Sequence, residues 1–373
     1  MTRFHIFDLA REIDQMGHLE RLYTGVPKWQ IPEPLKRKSS SMPWIIGPVI
    51  MGERYGFRSH KAIVQAAIIH NRWVERNLGP CDVYHSLSDQ GGLSAKIARE
   101  RYGALTICDR PATHITYHEN NTREEAARVG VTYNRSDPRM IDLELRAYDL
   151  ADLIVVPSEY VRRTFVESGV PAAKMRTIPF GVDLSMFHPV AKKDDTFRII
   201  CVAQMIARKG IGYLLEAMKM ARLKNAELWL IGQLNDEFKP VLDRYSDYFR
   251  YMGVFPRGEL YKYYSQGSVF VLPSVEEGLA LVMGQAMACG LPVIATENSG
   301  AEDLFTDGRE GFIVPVRSPE AIRDKILLLY EDSARREAMS KAALERVKSY
   351  GGWKSYGEKT FQVYQDAIMQ RAA

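Results

Sequence analysis

Short apolar runs rich in Val and Ile alternate with helical patterns almost to the C-terminus of this 373-residue chain. An apolar run without polar alternation, bounded by turn residues, fits a strand buried on both faces, and such strands joined by helices build parallel sheets covered on each side. That rhythm restricts the chain to a doubly wound α/β architecture. In the first half the runs lie at 82–85, 105–109, 153–157 and 176–179, and in the second at 198–203, 228–231, 249–253, 269–273, 292–295 and 312–314. The helices between them are short and well punctuated; the one predicted at 281–289 stops at Gly290, with Pro292 just beyond. The length exceeds one ordinary domain and suits two.

The predicted boundary is the polar, proline-containing stretch His188 to Asp195, which follows one sheet pattern and precedes the next. Residues 1–190 then form the first domain and 191–354 the second, with 355–373 as a last helix returning to the first. Two segments resemble each other across the boundary, Asp152 to Ser158 (DLIVVPS) and Ser268 to Ser274 (SVFVLPS), as expected of two similarly built halves.

Composition narrows the partners. Hydrophobic residues at 46 % and charged residues at 26 % exclude a disordered or fibrous chain. A net charge of +4 lacks the clustered excess of a nucleic-acid binder. The cysteines, Cys81, Cys108, Cys201 and Cys289, have neither metal-ligand nor redox spacing and read as small buried hydrophobes in a reducing compartment. No apolar run is long enough to cross a bilayer, and the N-terminus is unlike a signal peptide, so the expected location is the cytoplasm. Residues 27–50 break the rhythm: Lys28, Lys36, Arg37 and Lys38 stand beside Trp29 and Trp44. The mixture suits either a peripheral contact with an anionic membrane surface or a solvated loop with two anchoring tryptophans.

The stretch 273–296, PSVEEGLALVMGQAMACGLPVIAT, is the richest in chemistry. A buried strand ends at Pro273-Ser274, Glu276 and Glu277 meet Gly278, and a small-residue helix begins near Ala280. In an open parallel sheet the ligand crevice lies beyond the carboxyl ends of the strands, where a helix N-terminus offers unpaired N–H groups to an anion such as a diphosphate. Glu277 at that mouth can accept hydrogen bonds from sugar hydroxyls. The pair Glu276-Glu277 also fits a plain acid cluster at a helix start, and Arg208-Lys209 a solvated turn.

This stretch resembles the signature of retaining glycosyltransferases of the GT-B fold, family 4, in which two glutamates are separated by seven residues. Glu277 matches the first, which the resemblance implies touches the transferred sugar. The second falls on Gln285, which keeps an amide oxygen for the ribose hydroxyls without the charge. Lys209, just before Gly210, fits the residue that pairs with the donor diphosphate, with Arg208 beside it; Ala203-Gln204 stands where relatives often carry Gly-Arg. Residues 151–187, with Gly181-Val182-Asp183, and the stretches Asn298 to Asp303 and Asp307 to Pro315, are similar to further family segments. The resemblance thus implies Glu277, Lys209 and His114 as catalytic residues, and Arg208, Gly278, Leu279, Ala280, Leu281 and Gln285 as donor-binding ones. His114 follows the strand 105–109 where relatives carry a histidine against the donor sugar. His85, Asp109 and Arg110 are acceptor-side candidates; the competing reading has Asp109 capping the following segment and His114 as an ordinary surface residue.

His114, His118 and Glu119 have metal-ligand spacing if helical, but the resemblance implies a metal-independent enzyme without cofactor. Relatives open with a strand and a glycine-rich loop; here residues 4–10 already read as the helix that follows them, ending near Gly17. The implied reaction is transfer from a nucleotide sugar to a hydroxyl of a glycan or lipid-linked acceptor, with retention of configuration, in polysaccharide or lipopolysaccharide assembly at the inner face of a membrane. Two alternatives stand beside it: a catalytically silent relative that binds a nucleotide or a partner, and an epimerase, for which no acid–base pair is evident.

Overall fold

The computed structural model describes residues 5–372 apart from 45–46 and 48–59. The first half holds the strands β1 (Leu22–Thr24), β2 (Ser39–Ser41), β3 (Val83–Leu87), β4 (Leu105–Asp109), β5 (Leu153–Val156) and β6 (Met175–Thr177). Its helices are α1 (Ile6–Gln15), α2 (His60–Asn77), α3 (Ala95–Tyr102), α4 (Ile115–Val129), α5 (Pro138–Leu150) and α6 (Glu159–Glu167). The second half holds β7 (Phe197–Val202), β8 (Ala226–Ile231), β9 (Arg250–Gly253), β10 (Val269–Leu272), β11 (Val293–Thr296) and β12 (Gly311–Val314). Its longer helices are α7 (Ile211–Ala221), α8 (Leu281–Ala288), α9 (Pro319–Glu331) and α10 (Ser333–Tyr350), followed by the C-terminal α11 (Trp353–Ala372).

Every strand pairing among the described residues is parallel. The second half forms one six-stranded sheet in the order β12-β11-β10-β7-β8-β9, and the first half a four-stranded sheet β3-β4-β5-β6 with a separate pair β1-β2. Two Rossmann-like domains result, as the alternation predicts. The central strands explain themselves: Ile199, Ile200 and Cys201 of β7 and Val269 to Leu272 of β10 are wholly buried. Each such apolar side chain contributes about 1.5–3 kcal/mol on burial. The edge strand β9 is largely exposed, and Tyr251 within it is 40 % accessible. Helix starts are fixed locally: the Ser158 hydroxyl accepts from the Val161 amide at the head of α6, and Asp137 caps α5 with Pro138 in its first turn.

Helix α11 packs back on α1, where the ring of Phe361 stacks on His18 with centroids 4.4 Å apart. The first helix spans Ile6–Gln15, inside the predicted 4–17; Phe4 lies outside the described residues. Two features depart from the sequence reading. Residues 22–24 and 39–41 are strands, although Ser39-Ser40-Ser41 lacks any apolar signature; pairing with Leu22–Thr24 in register fixes it. Trp29 and Trp44 are exposed, at 78 % and 80 % accessible, rather than buried as anchors among the described residues. The rest of the basic and aromatic segment, 45–46 and 48–50, lies outside the described residues. Cys108, Cys201 and Cys289 are buried and Cys81 half-buried, all as free thiols.

Candidate active site

The turn after β7 and the loop after β10 meet at the carboxyl ends of their strands. Lys209 closes a short helical turn, Ala207–Lys209, and the chain leaves it through Gly210 at φ +64°. A Cβ on Gly210 would sit 1.9 Å from the Pro273 carbonyl oxygen, so only glycine lets this turn lie against the end of β10. The Val275 amide donates to the Arg208 carbonyl at 2.9 Å and stitches the two loops together.

Three charged side chains converge there. The Lys209 ammonium donates to Glu277 Oε2, and Arg208 Nη1 lies 3.5 Å from the same oxygen. Arg208 Nη1 also donates to the Glu276 carbonyl at 2.8 Å. The side chains of Arg208, Lys209 and Glu277 are 20 %, 13 % and 18 % accessible, so they face a narrow opening rather than bulk water. Burial alone would raise the Glu277 carboxyl; the cations of Lys209 and Arg208 outweigh it and hold the group below its ordinary range. Burial pushes the Lys209 ammonium down, against the pull of Glu277. Arg208, raised by Glu277 and Glu276 against its burial, stays charged.

Behind this cluster the two halves are bolted together. A Cβ on Gly278 would sit 1.9 Å from the Pro111 carbonyl oxygen, and the Ser158 hydroxyl donates to the Gly278 carbonyl at 2.7 Å. Glu276, buried to 1 %, accepts from the Thr113 hydroxyl at 2.6 Å and lies 2.9 Å from His118 Nδ1, both across the cleft. Farther along, Glu125 of α4 accepts from Arg317 at 2.8 Å and from the Tyr213 hydroxyl at 2.7 Å.

Burial raises the Glu276 carboxyl, but His118, Arg208 and the Thr113 hydroxyl together hold it well below the ordinary glutamate value of 4.5. A group depressed in the folded state contributes stability above its unfolded value, lost as pH falls through the folded one. Glu276→Gln is therefore expected to cost about 3 kcal/mol at pH 7. Thermal melts of the two proteins should converge progressively below pH 4.5; a constant offset down to pH 3 would remove the carboxylate from this account.

The structure does not bring all the expected residues together. His114 precedes α4, and its ring packs inside the first domain against Tyr148 and Phe165, with centroids 5.2 and 5.0 Å away. Burial, with Arg110 nearby, pushes it down to about 4. His118, one turn later, is the histidine that faces Glu276. The two histidines diverge, and among the described residues no three His, Cys, Asp or Glu side chains are placed to hold a metal.

Arg110 is spent on Glu144, which also accepts from the Tyr148 and Ser88 hydroxyls at 2.9 and 3.1 Å. Asp109 is clamped by His5 at 2.7 Å and His85 at 3.1 Å, with His85 in turn 2.7 Å from the Tyr364 hydroxyl of α11. Gln285 is buried, and its amide oxygen accepts from the Tyr264 hydroxyl at 3.1 Å. Leu279 and Ala280 are buried in the core, and Leu281 begins α8, whose first turn has no side-chain cap. Sequence reasoning missed His5, Thr113, Arg317 and the turn of α4 that selects His118; the spacing His114-His118 was the available signal.

Two Rossmann-like domains facing across a cleft, with paired cations beside a carboxylate at the strand ends, give the architecture of the GT-B class. The profile of the glycosyltransferase family 4 domain matches residues 3–186, and that of glycosyl transferases group 1 matches residues 196–332. The chain belongs to this family of glycosyltransferases and has its GT-B fold.

It is 27 % identical to the D-inositol 3-phosphate glycosyltransferase of Kribbella flavida, over 99 % of this chain and 91 % of that one. It is also 27 % identical to a GDP-mannose-dependent alpha-(1-6)-phosphatidylinositol monomannoside mannosyltransferase of Mycobacterium tuberculosis, over 57 % of this chain and 62 % of that one. Sucrose-phosphate synthase from Thermosynechococcus elongatus superposes with a TM-score of 0.71 at 21 % identity, covering 98 % of this chain and 93 % of that one. Anabaena HepE, crystallised with UDP, gives 0.66 at 13 % identity, covering 93 % and 100 %. No helix among the described residues is long and apolar enough to cross a membrane.

Proposed function

We propose that the protein transfers a sugar from a nucleotide diphosphate donor to a hydroxyl of a glycan or lipid-linked acceptor with retention of configuration. The observation that carries this reading is the convergence of Lys209, Arg208 and Glu277 at the mouth of the interdomain cleft. When the donor enters, its diphosphate takes over Lys209 and Arg208, and Glu277 is released to accept from the sugar hydroxyls. As the bond from anomeric carbon to phosphate oxygen breaks, the two cations and the uncapped first turn of α8 stabilise the charge growing on the leaving group. The acceptor oxygen attacks from the same face and its proton passes to the departing phosphate oxygen. No carboxylate nucleophile and no metal is then required. Closure of the cleft keeps water from competing.

The acceptor enters from the first domain, 1–190, and the donor sits in the second, 191–354. Assembly of a polysaccharide or lipopolysaccharide at the inner face of a membrane fits the exposed Lys28, Trp29, Lys36 and Arg37. A second reading, a silent relative, draws on one observation: the amide oxygen of Gln285 is already engaged by Tyr264.

A thermal-shift panel with UDP, GDP, ADP and their sugar conjugates tests both. Stabilisation by one nucleotide, weakened in Lys209→Ala, supports the donor site. Stabilisation without turnover of any sugar conjugate selects the silent relative. No shift with any nucleotide in a folded sample rejects the donor site and favours the silent relative in its partner-binding form.

A further inference from the structure

Helix α4 belongs to the first domain, yet one of its faces is bonded to the second. His118, Asn121 and Glu125 fall at i, i+3 and i+7, which places them on one stripe of the helix. His118 Nδ1 lies 2.9 Å from Glu276, and the side-chain oxygen of Asn121 accepts from Arg317 Nη2 at 3.2 Å. Glu125 accepts from Arg317 Nε at 2.8 Å and from the Tyr213 hydroxyl at 2.7 Å. Val129, one turn farther, packs against the core of the second domain, and the helix also lies on the turn Ala207–Lys209.

Glu125 is wholly buried. A carboxylate in that setting is costly unless it is paired and hydrogen-bonded. Here each of its oxygens is bonded to a group of the second domain, so parting of the halves would take both partners away together. Its counter-charge is held in a strained backbone. Arg317 stands at φ +59°, the left-handed region in which a Cβ crowds the following carbonyl, just ahead of Ser318, whose hydroxyl accepts from the Ala321 amide at the head of α9. Such a conformation persists where its surroundings over-determine it. All three nitrogens of the guanidinium reach α4, since Nη1 also lies 3.3 Å from Glu124.

Tyr213 carries the contact to the charged cluster. It lies in the first turn of α7, and its amide donates at 2.9 Å to the carbonyl of Gly210, the residue after Lys209. With the Tyr213 hydroxyl fixed by Glu125, the turn that presents Arg208 and Lys209 is fastened on two sides: to the loop after β10 through the Val275 amide, and to the first domain through α4.

We propose that Glu125 is a positioning residue for the donor site: through Tyr213, and with Arg317 as its counter-charge, it seats the Arg208–Lys209 turn against α4, so that the two cations reach their working places only when the halves are together. The proposal rests on the reading of Arg208 and Lys209 as the diphosphate site.

The test is a cycle of Tyr213→Phe, Lys209→Ala and the double variant, with Arg317→Met as a second way of loosening the contact. Binding of UDP, GDP and ADP is measured by calorimetry, and amide exchange is followed without ligand. Tyr213→Phe and Arg317→Met should each weaken the accepted nucleotide by about fivefold or more. In the Lys209→Ala background Tyr213→Phe should change Kd by less than about twofold, because the group it acts through is gone. The amides of Lys209 and Gly210 should exchange about fivefold faster or more in Tyr213→Phe, while those of Ile199 to Cys201 in β7 stay as they were. Equal weakening by Tyr213→Phe with and without Lys209 overturns the proposal and makes Glu125 plain packing between the halves. Unchanged affinity in both Tyr213→Phe and Arg317→Met overturns it equally. If the unaltered protein binds no nucleotide, the donor reading falls by itself and exchange alone judges the seating of the turn: faster exchange at Lys209 and Gly210 supports it, and unchanged exchange overturns it.

Discussion

Lys209→Ala should lower kcat with any accepted donor by about 100- to 1000-fold, the loss seen when one preorganised group facing transition-state charge is removed. The ammonium is bonded to Glu277 and screened from water, so the charge it offers is undiluted by solvent. Removing it leaves Glu277 facing Arg208 alone at 3.5 Å, and the nucleotide-induced thermal shift should shrink with the rate. Steady-state kinetics with the donor chosen by the thermal panel decides the matter. A variant that keeps full kcat and raises KM alone would show that Lys209 binds the ground state only, and would remove it from the chemistry.

Gly278→Ala should be nearly as damaging by a different route. Its new Cβ would fall 1.9 Å from the backbone oxygen of Pro111, and a backbone atom has no rotamer into which to retreat. The two halves must then part by about an ångström or more, and a misplacement of that size costs on the order of 100-fold in rate. The parting also stretches the bonds from Thr113 to Glu276 and from Ser158 to the Gly278 carbonyl, so the melting temperature should fall together with the activity. Small-angle scattering and kinetics on the same sample check this. A variant with normal activity would show that the contact between Gly278 and Pro111 is not needed for turnover.

Much of the molecule was legible because its strands are buried on both faces. Runs such as 199–203 and 269–273 are recognisable without a partner, since short Val- and Ile-rich runs bounded by turn signals and alternating with helices fit strands covered on both faces. The loop PSVEEG was legible for a chemical reason: acids beside glycine between a buried strand and a helix have few purposes. What escaped the sequence depended on phase and on distant partners. His114 and His118 differ by one turn, and whether α4 begins before or after His114 decides which of them meets Glu276. Ser39–Ser41 becomes a strand only because β1 lies beside it. Arg110 looked available and is consumed by Glu144, thirty-odd positions away in sequence and adjacent in space. Gln285 was identified by position, but its bond to Tyr264 has no trace in the local pattern.

The chain passes between the two halves twice, once after Phe187 and again just before α11. These passages lie side by side: the Val182 amide donates to the Gly351 carbonyl at 3.3 Å, and the rings of Phe180 and Trp353 stand 6.3 Å apart. Two tethers fastened at one place act like the two leaves of a door hinge. Any separation of the halves would pivot near Val182 and Gly351, where both tethers are fastened. Under the proposed closure, such a joint would return Lys209 and Gly278 to the same places opposite the first domain, so the accuracy of the site would be set by a joint remote from it.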